Sequence, residues 1–342
     1  MDMRFGLVGL GYHGQHAVLP SFDEPAAAGV KLTAVCDVCP ANLDYVTLPV
    51  EKYLSAQEMI AKAPIDAVYV AVGCDQAKAI VLAVLAAGKA VICEKPLAET
   101  AAEARLIADE VQKSGALFAV NFETRYGQRM QLLKRWIDGG YLGKIQTVGF
   151  DKMWDCHKSF TETAPRRARL LSLIGGLDCG IHQLDQAQYL LGGSWKKVRA
   201  MGAWFDEDFI PPPHISIVGM LDNDLVVSLN ASLAFTSNIE PREGLDNVVI
   251  AGTEGVAVVR KLTSAGTDSE AVLTSRTLCE KVTIPQGGHS SDIALLLTEF
   301  ARVWRNGPET PHTFAGAEDG YQAQLATELA IQDALENAGR KF

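Results

Sequence analysis

"RFGLVGLGYHGQH", residues Arg4–His16, decides how the first third of this chain folds. Its opening reads as a strand, a cluster of glycines follows, and a helical pattern begins at about His13. Gly9, Gly11 and Gly14 stand in G-x-G-x-x-G spacing across that junction. Glycines so placed permit a tight turn, close approach of the backbone to a phosphate, and close helix–strand packing. The orphan N–H groups of the helix start then face an anion. Alone the pattern is weak, because glycine turns recur by chance, so its context has to carry the reading.

Working outward, the context holds. "KLTAVCD" (31–37), "DAVYVAV" (66–72), "AVICE" (90–94) and "LFAVNF" (117–122) read as further strands, with helical patterns between them. "SAQEMIAKA" (55–63) opens a helix with a Ser cap and Glu58 three residues later, a capping box. The near-continuous apolar character of 66–72 fits a strand covered on both faces. Alternation of this kind predicts an α/β fold with a doubly wound parallel sheet. Asp37 closes the second strand about 20 residues beyond the glycines, where a carboxylate binds the ribose hydroxyls of a dinucleotide. Val38 follows it, with no Arg or Ser adjacent, and a carboxylate repels a 2′-phosphate, so NAD is expected over NADP. The loop residues Tyr12 and His13 join Gly9, Gly11, Gly14 and Asp37 as candidate cofactor contacts.

Beyond Asn121 the pattern changes. A helix is expected over 127–138, ended by Gly139-Gly140, then a strand over 144–154. From 196 to 284 most segments read as strands. In "LVVSLNASLAF" (225–235), Leu225, Val227, Leu229, Ala231, Leu233 and Phe235 alternate with polar residues. One face is therefore buried, as in a large, open, mainly antiparallel sheet whose other face meets solvent or a partner. Two helices, 290–305 and 316–338, end the sequence. The expected division is a dinucleotide-binding domain over 1–122 and a substrate-binding and oligomerisation domain over 123–342.

Between these parts lies "GGLDCGIHQLD", Gly175–Asp185. On a helix, Asp178, His182 and Asp185 fall within an arc of roughly 60°, while Ile181, Leu184, Ala187 and Leu191 point toward a core. A polar stripe on a largely buried helix is expected to face a cleft.

The totals exclude some functions. A net charge of −10 gives no footprint for nucleic acid or an anionic membrane. No apolar stretch is long enough to span a bilayer, and no signal-peptide pattern opens the sequence. Seven cysteines, mostly in apolar runs, fit free thiols in a reducing cytoplasm. "CDVC" (Cys36–Cys39) lacks a second pair or nearby histidines, so no metal is expected.

"ICEKPLA" (92–98), at the end of the fifth strand, together with "GLGYHG", "NFETRY" (121–126) and "DCGIHQLD" (178–185), resembles the glucose–fructose oxidoreductase / inositol dehydrogenase family, Gfo/Idh/MocA. The resemblance spans residues 4 to about 192. It implies a Rossmann domain, a second α/β domain, and hydride transfer between a nicotinamide and a carbinol carbon of a sugar, inositol or related compound. Carried over by motif, Glu94 and Lys95 lie beside the nicotinamide ribose, with Lys95 on the reacting oxygen. Pro96 is commonly cis in the family. Asp178 binds substrate hydroxyls or partners the lysine, and His182 is the general acid/base. The chemistry supports these types: an alcohol needs a base for its proton, and the oxygen needs a cation as its charge develops. The bland readings are a surface lysine before a turn proline and a satisfied core histidine. Arg125 and Tyr126 match a family pair that supports the cleft. His157 and Arg166, Arg167 and Arg169 fall where the family's substrate loop lies. The family habit is a homodimer or homotetramer through the open sheet.

Departures accompany the resemblance. Val72-Gly73 replaces Thr-Pro, Ala77 stands for a histidine, and the glycine run before Asp178 is short. Two other functions share the motifs: an enzyme that oxidises its substrate transiently and regenerates NAD, and a non-catalytic NAD-binding sensor.

Overall fold

The computed structural model describes residues 1–153, 173–175, 177–204, 210–233, 244–261, 268–285 and 287–341. The chain divides into two compact units, Met1–Gly127 with Gly287–Gln324, and Gln128–Gln286 with Leu325–Phe342.

The first unit is built on a six-stranded sheet in the order β3-β2-β1-β4-β5-β6. The strands are β1 (Met3–Val8), β2 (Val30–Cys36), β3 (Glu51–Tyr53), β4 (Ala67–Val70), β5 (Ala90–Glu94) and β6 (Phe118–Asn121). Every pairing is parallel, so this is the doubly wound fold expected from the alternation. Its connections include α1 (Leu19–Ser21), entered through a π-type turn over Gly14–Val18, then α2 (Pro40–Asp44), α3 (Ala56–Lys62), α4 (Cys74–Ala86) and α5 (Ala101–Ser114). The capping box forms at α3, where the Ser55 hydroxyl accepts from the Glu58 N–H. Thr100 caps α5 in the same way, and Gly115 at φ +65° ends it in the left-handed conformation that favours glycine.

The second unit carries an eight-stranded sheet in the order β14-β13-β12-β11-β7-β10-β9-β8. Its strands are β7 (Ile145–Met153), β8 (Trp195–Ala203), β9 (His214–Leu221), β10 (Val226–Ser232), β11 (Leu245–Gly252), β12 (Gly255–Lys261), β13 (Ser269–Ser275) and β14 (Cys279–Ile284). Neighbours run antiparallel except β7 and β10. The alternation in 225–233 appears as read: Val227, Leu229, Ala231 and Leu233 are buried, while Phe235 lies outside the described residues. Helices α6 (Gln128–Asp138) and α7 (Leu177–Leu191) cover the buried face through Met130, Leu133, Trp136, Leu177, Leu184 and Leu190.

Sequence order and compact units do not coincide toward the end of the chain. Helix α8 (His289–Asn306) follows the second sheet in sequence but belongs to the first unit. Its Ile293, Leu297 and Phe300 enter the core beneath β1, with the Phe300 ring tilted against that of Phe5 at 6.2 Å between centroids. Helix α9 (Ala317–Asn337) contributes its start to the first unit and its remainder to the second. Periodicity reveals such helices but not which core they fill.

Candidate functional site

In the first unit the glycine loop has the geometry its spacing requires. Gly9 takes φ +98°, and a Cβ there would strike the Ala71 carbonyl. A Cβ on Gly14 would meet the Gly9 carbonyl, so helix and loop close on each other. A Cβ on Gly11 would meet nothing within 4 Å, leaving the loop's outer side open. Asp37 is 5% exposed at the end of β2. Its Oδ2 accepts from the Leu10 N–H at 2.7 Å and its Oδ1 from the Cys39 N–H at 2.8 Å. These bonds hold the loop to the strand end and leave each oxygen further lone pairs. An approachable backbone, an open outer face and a fixed carboxylate fit the diphosphate and ribose of a dinucleotide. Tyr12 is exposed, its ring 4.5 Å from that of His16.

At the carboxyl edge of β5, Glu94 is the centre of a polar network. Its Oε1 accepts from Tyr69 Oη at 2.9 Å and Asn121 Nδ2 at 2.7 Å, and lies 3.2 Å from His13 Nε2. Burial raises the Glu94 carboxyl, but the charge and hydrogen bond of His13, helped by Asn121, leave it below its ordinary value. For His13 burial works downward, and Glu94 and Glu123 more than offset it, so the imidazole is raised; the Lys95 charge opposes them. Lys95 therefore stands within electrostatic reach of this network, and its N–H is 3.3 Å from Glu94 Oε2. The Lys95–Pro96 bond is cis. Beside them, Glu123 Oε1 is 2.8 Å from His289 Nδ1, and burial, with the Glu123 charge, raises Asp292 to about 6. Sequence reasoning missed Tyr69, Asn121, Glu123, His289 and Asp292. Tyr69 did leave a signal: a tyrosine inside an apolar strand needs a partner for its hydroxyl.

Arg125 is buried and its Nη1 donates to the Thr313 carbonyl at 3.1 Å, and Tyr126 donates to Glu299 of α8 at 2.5 Å. Where the family has Thr-Pro, Gly73 caps α4, and a Cβ there would lie 2.5 Å from Asp75 Oδ1. Ala77 is buried in α4.

In the second unit, α7 carries the Asp/His stripe. Asp178 and Asp185 are fully buried, and His182 is 8% exposed. Ile181, Leu184 and Ala187 are buried with them, as the periodicity required. In the shortened glycine run Gly175 takes φ +50°, and a Cβ there would lie 2.6 Å from the Pro212 carbonyl. Trp154, His157, Arg166, Arg167 and Arg169 lie outside the described residues.

A parallel sheet in Rossmann order, a glycine loop closed by Asp37, and a second mixed sheet under an Asp/His helix define a two-part dinucleotide-binding oxidoreductase architecture. Residues 3–122 match the NAD-binding Rossmann fold of an oxidoreductase family, and residues 130–258 match the C-terminal domain of the same family. The chain belongs to the Gfo/Idh/MocA family, and its first unit is an NAD-binding Rossmann domain. Over 207 residues it is 30% identical to the myo-inositol 2-dehydrogenase of Thermotoga maritima, covering 59% of this chain and 58% of that enzyme. The match thus spans little more than half the length of such curated relatives. A crystallised oxidoreductase from Agrobacterium radiobacter, in complex with NAD+, L-tartaric acid and magnesium, shares the fold at a TM-score of 0.81 and 18% identity, covering 98% of this chain and 97% of the other. An aldose–aldose oxidoreductase from Caulobacter crescentus does so at a TM-score of 0.80 and 20% identity, covering 98% of each chain.

Proposed function

We propose that this protein is an NAD-dependent dehydrogenase that moves a hydride between the nicotinamide and a carbinol carbon of a sugar, inositol or related polyhydroxy compound. The observation that carries the reading is the buried stripe of Asp178, His182 and Asp185 on α7, in a chain whose other unit binds NAD. Buried ionisable groups cluster at functional sites, and Asp178 and His182 are read as the reacting pair with Asp185 anchoring the helix or the imidazole. The inositol dehydrogenase relatives support the substrate class.

In this reading Asp37 and the Gly9–Gly14 loop hold the dinucleotide, with Tyr12 and His13 beside them. Glu94 meets the nicotinamide ribose, positioned by Tyr69 and Asn121. Bound NAD supplies the hydride acceptor. His182 takes the hydroxyl proton, Asp178 orients the substrate or tunes the base, and the Lys95 ammonium stabilises the oxygen as its negative charge grows. The carboxylate of Asp37 favours NAD over NADP. A cytoplasmic location accords with the buried free thiols of Cys36, Cys74 and Cys93. Among the described residues no helix is long and apolar enough to cross a membrane. The outer face of the second sheet is assigned to a second copy of the chain.

Lys95→Met tests the assignment. It should lower kcat with polyol substrates by roughly 100- to 1,000-fold or more, followed as NADH formation, while NAD binding by fluorescence titration stays intact. Full turnover in the variant removes Lys95 from the chemistry. A polyol panel without net NADH formation by the unmodified protein would turn the reading toward an NAD-recycling enzyme or a sensor.

A further inference from the structure

Lys152 occupies a place in β7 that strand alternation reserves for the core. Val148 and Phe150 precede it on the same face and are buried. Opposite Lys152 stand Ala231 on β10 and Asp246 on β11. Lys261 ends β12 two positions past Val259, the partner of Val248, in phase with Asp246, whose charge acts on it. The end of the helix-covered face therefore reads Ala231, Lys152, Asp246, Lys261 across neighbouring strands. Arg129 of α6 lies on this row, with Nη1 2.9 Å from Asp246 Oδ2 and Nη2 3.0 Å from Oδ1. Lys152 Nζ reaches Asp246 Oδ2 at 2.8 Å.

Three cations share one carboxylate. Burial works to raise Asp246, yet Lys152 and Arg129 hold it well below the usual carboxylate range. Lys261 responds in the opposite sense: burial and the charges of Lys152 and Arg129 lower its pKa, with Asp246 only partly offsetting them. The row thus holds more positive charge than Asp246 neutralises. Arg129 Nε is also buried and meets no acceptor among the described residues. A partly buried excess of cationic donors is unfavourable by itself, and an anion placed there would relieve it.

The row adjoins the catalytic helix. A Cβ on Gly180 of α7 would sit 3.0 Å from the Ala231 Cβ, next to Lys152 in the row. Cys179 also lies within electrostatic range of Lys152. Asp178 and His182 flank these two residues on the same helix.

We propose that Arg129, Lys152 and Lys261 form an anion subsite beside α7, so that the substrate is an acidic sugar or polyol bearing a carboxylate or a phosphate ester. The claim deepens the dehydrogenase reading and rests on it only for the word substrate. Arg129 and Lys152 anchor on Asp246, while Lys261, Arg129 Nε and the remaining ammonium hydrogens of Lys152 supply the donors.

The test is direct binding, independent of turnover. Calorimetry on the full chain is run with D-glucuronate, D-gluconate and D-glucose 6-phosphate, with myo-inositol as the neutral comparison. At least one acidic probe is expected to bind more tightly than myo-inositol, and which one wins separates carboxylate from phosphate. Lys261→Met should weaken that probe about tenfold or more. It should not lower the Tm, because Lys261 is repelled by its neighbours, so lost binding is not mistaken for unfolding. No acidic probe binding more tightly than myo-inositol, or unchanged affinity in Lys261→Met, overturns the subsite. Acid binding without NADH formation from any substrate sinks the dehydrogenase reading alone; oxidation of neutral polyols with no acid bound sinks the subsite alone.

Discussion

Asp292 shows how a single residue's surroundings set a measurable property. It lies in the first turn of α8, where burial and the neighbouring Glu123 charge raise its carboxyl from the ordinary 3.8 to about 6, against the pull of His289. A raised acid binds its proton more tightly in the folded chain than in the unfolded one. Stability therefore falls as pH rises from near 4 to near 6, and the loss is complete above that window. Asp292→Asn removes the charge and keeps the shape. It should raise the Tm at pH 7.5, corresponding to roughly 1–3 kcal/mol, and the gain should vanish at pH 4. Equal melting curves for the two proteins across that range would remove the carboxylate from this account. Residues of this kind were the hardest to read from sequence. Asp37 and Lys95 belong to local motifs and could be named from a few neighbours. Asp292 and His289 reach Glu123 across 166 or more positions, and nothing in their own segment marks them. Lys152 lies between: it shares a strand phase with Val148 and Phe150, but its meaning requires the register that brings Asp246 opposite.

The elements themselves were largely legible, because local rules fix them. β5 spans Ala90–Glu94 as read, and the Ser55 and Thr100 caps begin their helices where side-chain oxygens meet orphan N–H groups. Chain order gave no hint that α8 belongs with the first unit. Its apolar face reads as amphipathic wherever it packs, and only tertiary contact shows Phe300 between Phe5 and Phe314. The return gives a quantitative expectation. Phe300 is fully buried, so Phe300→Ala should cost about 3–5 kcal/mol through lost transfer energy and a residual cavity. Since the ring fills the core beneath the NAD-binding sheet, chemical denaturation should show the first unit unfolding at lower denaturant. NAD should partly restore the midpoint, because a ligand bound only by the folded form stabilises it by mass action. A cost below about 1 kcal/mol would mean that α8 is dispensable to that core.

At the scale of the molecule, the second sheet presents a face that, among the described residues, no helix covers. Met201, Val218, Val226, Val249 and Val256 project from β8, β9, β10, β11 and β12 opposite the buried set, and their exposures run from 37% to 67%. Alternation made this face legible as open, though the sequence could not say how apolar its centre is. Exposed apolar side chains spread over one sheet face mark an association surface where they form a contiguous patch. A sheet of this width can supply the roughly 800 Å² per partner that a stable interface needs. A second copy is the occupant expected here, since an isologous pairing sets the same face against itself. Val218 lies on this face of β9, opposite Ser228 on β10 and Arg199 on β8. Val218→Glu leaves the folded unit intact, because the side chain is 56% exposed in the single chain. In a dimer it would place two carboxylates in a desolvated apolar contact, weakening association by about 100-fold or more. Light scattering coupled to size exclusion should find the unmodified protein at twice or four times 36.8 kDa, and the variant shifted toward a single chain. A monomeric unmodified protein, or an assembly indifferent to the glutamate, would assign this face to something other than a second copy.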